Sequence, residues 1–179
     1  MANALGFRGI ALRYFNPIGA DPKFRSGVYA RNPSHVLGKL VQVAMGLEAE
    51  FLITGTDWAT RDGSGIRDYV HVWDIAQAHV KAVENFDSAL SKLQLRYTVM
   101  NLGSGTGVTV RELVAAFQRV YGKSLTVREV SPRPGDVAGA YAVANKASEL
   151  IDWHAVHSID AGIQSALEWM IHRKALLGY

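Results

Sequence analysis

The 179-residue chain contains no cysteine. That excludes a disulfide framework and thiolate chemistry, and it fits a reducing compartment, so a cytoplasmic location is the expectation. No run approaches the roughly 18 apolar residues that span a bilayer, so no membrane partner is expected. Met1 is not followed by a charged segment and an apolar run, and no signal peptide is read there. There is no internal repeat and no disorder signature. Several chemical signatures are missing too. The six histidines show no His-Glu-x-x-His or comparable metal spacing. There is no Gly-x-Ser-x-Gly elbow. No tyrosine is followed four residues later by lysine: after Tyr14 that place holds Ile18, and Tyr29, Tyr69, Tyr97, Tyr121 and Tyr141 lack it as well. No dinucleotide fingerprint opens the chain.

What is present is ordinary globular composition, 49% hydrophobic and 20% charged. The length suggests one domain, with room for a piece of another. The net charge of +3 comes from basic residues scattered among acids. The densest basic cluster, His172-Arg173-Lys174, stands at a helix end, where the dipole favours cations. Nucleic acid is therefore not an expected partner, whereas a phosphate-bearing ligand suits the balance.

The most informative stretch is Thr60 to Asp74. Asp62-Gly63 and Ser64-Gly65 make a turn. Ile66 to Val72 reads as a strand, and Asp74 with Gln77 as a capping box for the helix that follows. Arg67, at the mouth of that strand, can offer its fork of donors to a phosphate or carboxylate, or it can pair with Asp68.

Elsewhere, Gly9 to Phe15 reads as a strand that ends at Asn16-Pro17, because proline should stop the pairing. Ligands of α/β sheets bind beyond the carboxyl ends of strands, so the Asn16 amide could meet a ligand there, or Asn16 simply starts a turn. An irregular stretch runs to Pro33. A helix is expected over His35 to Gly46, a strand over Glu50 to Thr54, and a helix from Asp74 to about Phe86. Asn85 to Gln94 reads as a polar surface excursion. Arg96 to Leu102 is a strand. The Gly103 to Gly107 cluster reads as a tight turn rather than a dinucleotide cradle, since no βαβ unit with a ribose-binding acid follows. Thr109 and Glu112 form a capping box for a helix over Val110 to Tyr121. A strand over Leu125 to Val130 and helices over Asn145 to Ile151 and Ile159 to Leu177 complete an α/β pattern, with Ser158 capping the last helix. Arg133 sits in a Gly/Pro-rich loop and reads either as a second anion ligand or as a solvated charge.

Four blocks resemble UDP-glucose 4-epimerases of the extended short-chain dehydrogenase/reductase superfamily. They are Thr60 to Asp74, Leu12-Arg13-Tyr14-Phe15-Asn16-Pro17-Ile18-Gly19-Ala20, Asn101 to Gly107, and Arg133-Pro134-Gly135-Asp136. The resemblance implies the C-terminal, substrate-binding part of a Rossmann-type fold. Residues 1–17 would finish the Rossmann domain, and 18–179 would form the substrate-binding domain with interleaved segments. It implies NAD, held mainly by an upstream half that also carries a Tyr-x-x-x-Lys pair. It also implies a UDP-sugar substrate, epimerisation through a 4-ketose, and a homodimeric full-length enzyme. This chain alone would be inactive.

By motif, Phe15 would lie near the nicotinamide and Asn16 would bond the substrate. Arg67 and Arg133 would bind the diphosphate, and Asp136 the uridine ribose. Leu52, Ile53 and Thr54 would flank uracil. Thr54 stands where the family often has an aromatic residue, and Ser34-His35-Val36 where it has Asn-Asn-Leu. Ala140 stands where a bulky tyrosine restricts the sugar's 2-position. A small residue there leaves room for an N-acetyl group.

Overall fold

A computed structural model describes residues 6–178. The first five residues of the expected Rossmann remnant lie outside the described residues. Strand β1 (Gly9–Tyr14) pairs in parallel with β6 (Tyr97–Leu102), Gly9 opposite Tyr97. Beyond Tyr14 the chain changes partner. The Phe15 N–H donates to Leu102 O at 3.1 Å, and the Asn16 N–H donates to Asp68 O at 2.9 Å. Proline therefore does not stop the pairing: Asn16–Ile18 form β2, parallel to β5 (Tyr69–His71). Successive N–H groups of a strand point to opposite sides. The N–H that Pro17 lacks belongs on the β6 side, past the end of that strand, so nothing is lost.

Ile66 to Val72 is not one strand. It is β4 (Ile66–Arg67) and β5, broken at Asp68. Strand β4 is central to a small sheet, antiparallel to β7 (Val108–Thr109) and parallel to β9 (Gly139–Ala140). Strand β3 (Phe51–Thr54) pairs in parallel with β8 (Val127–Val130).

Helix α1 (Val36–Ala44) is capped by His35, whose Nδ1 accepts the Gly38 N–H at 3.1 Å. Helix α2 (Val72–Glu84) starts two residues before the expected place, because His71 rather than Asp74 caps it. Asp74 is instead buried in the first turn and accepts the N–H groups of Val156 and His157. The polar stretch after it is a helix, α3 (Phe86–Leu93), which buries Ala89 and Leu90. Helix α4 (Val110–Tyr121) has the expected capping box, with Glu112 N–H to Thr109 Oγ1 at 3.2 Å and Thr109 N–H to Glu112 Oε2 at 2.9 Å. Helices α5 (Asn145–Ile151) and α6 (Ile159–Leu177) hold their expected limits, and Ser158 caps α6.

Two apolar clusters hold these elements together. One joins β2 and β3 to α1, α4 and α6, with Leu40, Leu113, Phe117 and Ile163 fully buried. The other joins β6 to α2, α3 and α5 through Met100, Leu102 and Ile151. A cleft opens at the side of the first cluster.

Candidate functional site

A cleft of about 330 Å³ lies between the β1–β2 junction, the N-terminus of α1, the end of β3 and the loop before β9. Of the residues singled out by sequence, Asn16, His35, Val36, Leu52, Thr54, Arg67, Arg133 and Asp136 all line it. They come from five separate segments. Three others do not. Ile53 is 4% exposed and faces the core, because side chains alternate along a strand and Leu52 and Thr54 take the open side. Phe15 is half-buried at the partner switch, and Ala140 is exposed on β9.

The two arginines are held differently. Arg67 does not pair with Asp68. Its Nη1 donates to Ile66 O at 2.7 Å and Ala138 O at 3.0 Å, and its Nη2 to Val137 O at 3.5 Å. This fastens the guanidinium beside β9 and keeps its charge, since carbonyls do not neutralise it. The close approach requires Gly139: a Cβ there would stand 1.8 Å from Ile66 O, and its φ is +115°. Arg133 is exposed. Its backbone N–H and its Nε donate to Asp136 Oδ2 at 3.0 and 3.3 Å. The Arg133 N–H, then its guanidinium, and more weakly the Thr54 hydroxyl hold the Asp136 carboxyl below the usual carboxylate range. The cleft thus presents Arg67, Arg133 and Lys39, the last ion-paired with Glu48, beside the ionised carboxylate of Asp136.

Asp68 has another task. It is fully buried and accepts the Ser104 N–H at 2.8 Å, the Ser104 hydroxyl at 2.7 Å, the Gly105 N–H at 3.1 Å and the Ala142 N–H at 3.0 Å. The glycine loop after β6 is therefore a turn wrapped on an internal carboxylate. The N–H groups of Ser104 and Gly105 are taken by Asp68 and that of Thr106 by the Ser104 hydroxyl, so the turn presents no run of free N–H groups at its centre to a pyrophosphate.

Among the cleft residues that escaped the sequence reading are Trp58 and Tyr69. Trp58 lines the cleft from the turn after β3. Tyr69, 3% exposed, places its hydroxyl where no protein group meets it. Burial pushes that hydroxyl's pKa well up, against the opposing charge of Arg67. Tyr69 lies within the most specific stretch of the sequence, but its burial depends on β2 pairing with β5, which the sequence did not reveal. Among the described residues no group of three or more His, Asp or Glu could hold a metal ion. No described helix is long and apolar enough to cross a membrane.

Residues 1–103 match the model of the NAD dependent epimerase/dehydratase family. The chain belongs to that family. It is 38% identical to UDP-glucose 4-epimerase 2 of Arabidopsis thaliana over 89% of its own length and 45% of that protein. It is also 38% identical to UDP-glucose 4-epimerase of Bacillus subtilis, over 88% of its length and 45% of that protein. The chain thus spans about half the length of the curated relatives it matches. Among solved structures, UDP-glucose 4-epimerase of Bifidobacterium longum, in complex with NAD+ and UDP, superposes with a TM-score of 0.82 at 34% identity, covering 91% of this chain and 47% of that one. The enzyme of Stenotrophomonas maltophila, with bound NAD and formylated UDP-arabinopyranose, gives 0.85 at 36% identity over 98% of this chain and 51% of that one.

Proposed function

We propose that this chain is the C-terminal, UDP-sugar-binding half of a UDP-glucose 4-epimerase, acting with an N-terminal half that holds NAD. The observation that carries the reading is the convergence of Asn16, Thr54, Arg67, Arg133 and Asp136 on one cleft. Two arginines suit a diphosphate, each charge-assisted contact contributing roughly 1.5–3 kcal/mol. Asp136, kept ionised, suits ribose hydroxyls as an acceptor. Asn16 follows the carboxyl end of β1, where α/β proteins meet their ligands. Trp58 offers the cleft an aromatic face that Thr54 does not.

NAD, when bound, accepts and returns a hydride at the sugar. The glycine loop after β6 offers it no pyrophosphate cradle, since the Ser104 and Gly105 N–H groups are taken by Asp68. Its phosphates are therefore assigned to the upstream half, with Phe15 beside the nicotinamide. NAD titrated into this chain alone should give no micromolar binding. Among the described residues β1 pairs on one side only, which suits a sheet that continues into the other half. In this reading the full-length enzyme is a homodimer.

Calorimetry with UDP on the intact protein tests the site. Arg67→Ala and Arg133→Ala should each weaken binding by roughly 10- to 150-fold, while Arg119→Ala, whose partner is Asp160 outside the cleft, should leave it unchanged. Unchanged affinity in both cleft variants would overturn the diphosphate assignment. Substrate range follows from Ala140. It is paired with Arg67 across β9 and β4, beside the cleft rather than in its lining, and by the motif its small side chain would leave the sugar's 2-position open. The intact enzyme should interconvert the N-acetylated UDP-sugars as well, and Ala140→Tyr should abolish that activity selectively. Wild type inert toward them, or a variant that still turns them over, would refute the assignment of Ala140.

A further inference from the structure

Three aromatic residues line the cleft: Phe51, Trp58 and Tyr69. Phe51 and Tyr69 are 5% and 3% exposed, so their rings belong to the core. Trp58 is only half-buried. Of the three, it alone keeps substantial surface for a ligand.

Its place is fixed from several sides. The indole lies against Gly55, directly after β3. A Cβ on Gly55 would stand 2.4 Å from Trp58 Nε1 and 3.0 Å from its Cε2, and the φ of Gly55 is +74°. Glycine alone suits that conformation at that closeness. Pro132 Cβ, from the loop that carries Arg133, is 3.2 Å from the same point. The backbone is tied as well. The Trp58 N–H donates to Gly63 O at 2.9 Å, and the Thr60 N–H donates to Trp58 O at 2.7 Å. A ring held in this way loses little freedom when it meets a ligand.

The neighbouring groups set an order along the cleft. Thr54 precedes Gly55, and its hydroxyl is spent on Asp136. Asp136 in turn accepts the Arg133 Nε at 3.3 Å. Cation, carboxylate, hydroxyl and aromatic ring therefore follow one another from Arg133 to Trp58. A nucleoside diphosphate has a matching order of phosphates, ribose hydroxyls and base.

Resting on the reading of this cleft as a nucleoside-diphosphate site, we infer that Trp58 is its base platform: the nucleobase stacks on the indole. Thr54, committed to Asp136, positions that carboxylate and does not meet the base. Stacking uses the π-face that every base has, so Trp58 supplies affinity for a base without choosing among bases.

Calorimetry on the intact protein compares UDP with inorganic pyrophosphate, which carries the diphosphate and no base. The wild type should bind UDP tighter than pyrophosphate. Trp58→Ala should weaken UDP binding by roughly 5- to 150-fold and leave pyrophosphate binding unchanged. Trp58→Phe keeps a ring and should bind UDP nearly as the wild type does. Tryptophan fluorescence gives a second measurement that does not depend on the alanine variant folding. UDP should quench the wild type, pyrophosphate should not, and the quench should be lost in Trp58→Phe. UDP bound no tighter than pyrophosphate, bound equally by Trp58→Ala, or bound without a quench that Trp58 accounts for, would overturn the inference and leave the diphosphate site standing. So would an equal loss of both ligands in a folded Trp58→Ala, which marks a structural role. A wild type that binds neither ligand would overturn the reading of the cleft itself, and the base platform with it.

Discussion

The carboxylate of Asp68 accepts the backbone N–H of Ala142 at 3.0 Å, although 74 residues separate them in sequence. Its neighbour Arg67 holds the carbonyls of Val137 and Ala138. These two residues therefore grip the segment carrying Asp136 and β9 from both ends, and Asp68 ties the glycine loop to the same point. The outer wall of the cleft is thus fastened to β4 and β5 by polar contacts.

From this follows the first prediction. Asp68→Ala leaves the N–H groups of Ser104, Gly105 and the buried Ala142 without their acceptor, and it should lower the unfolding free energy by about 3 kcal/mol. Urea denaturation measures it. The variant should also bind UDP more weakly than its stability loss alone explains, because the wall loosens. A midpoint equal to wild type would show that the loop and the wall hold themselves.

The second prediction concerns Tyr69. Its hydroxyl is buried without a partner, so it contributes a desolvation cost and no bond. Tyr69→Phe keeps the ring in the core beside β2 and removes only that oxygen. The variant should be more stable by about 1 kcal/mol, read as a raised melting temperature. Equal or lower stability would mean that the hydroxyl has found a partner in solution.

Much of this architecture was legible in the sequence. The capping box at Thr109, the limits of α5 and α6, and the cap at Ser158 are local signals, and local physics settles them. The errors fell where tertiary contacts decide. His71 displaces Asp74 as the cap of α2 because Asp74 is drawn into contacts with Val156 and His157. The break at Asp68 arises because its side chain turns inward to N–H groups from a loop and a strand end far along the chain. Residues 86–93 form a helix because Ala89 and Leu90 find a core to pack against. The cleft residues came from motif resemblance rather than from periodicity. Trp58 and Tyr69 needed three dimensions, and so did the inward-facing Ile53.

The last prediction is a pH dependence centred on His71. Its Nδ1 accepts the Trp73 N–H at 3.0 Å, so in the neutral ring the proton sits on Nε2, 3.2 Å from Ser165 Oγ. Both nitrogens are then served without a charge. The ring stacks on His157, with centroids 4.5 Å apart, and His157 in turn meets Asp74 at 2.6 Å. Burial, and secondarily the neighbouring His157, lower the pKa of His71 from its ordinary 6.5, while Asp74 opposes them. The folded chain therefore binds this proton more weakly than the unfolded chain does. Above about pH 6.5 the contribution is fully present. As the pH falls from there through the lower folded value, the unfolded state takes up the proton first and stability declines. His71→Asn retains a capping oxygen for the Trp73 N–H but does not titrate. The melting temperature of the wild type should drop between pH 7 and about 5.5, a window that brackets the ordinary histidine value, and the drop should be smaller in His71→Asn. Parallel curves for the two proteins would assign the acid sensitivity to other groups, and a wild type that gains stability on acidification would reverse the sign of the argument.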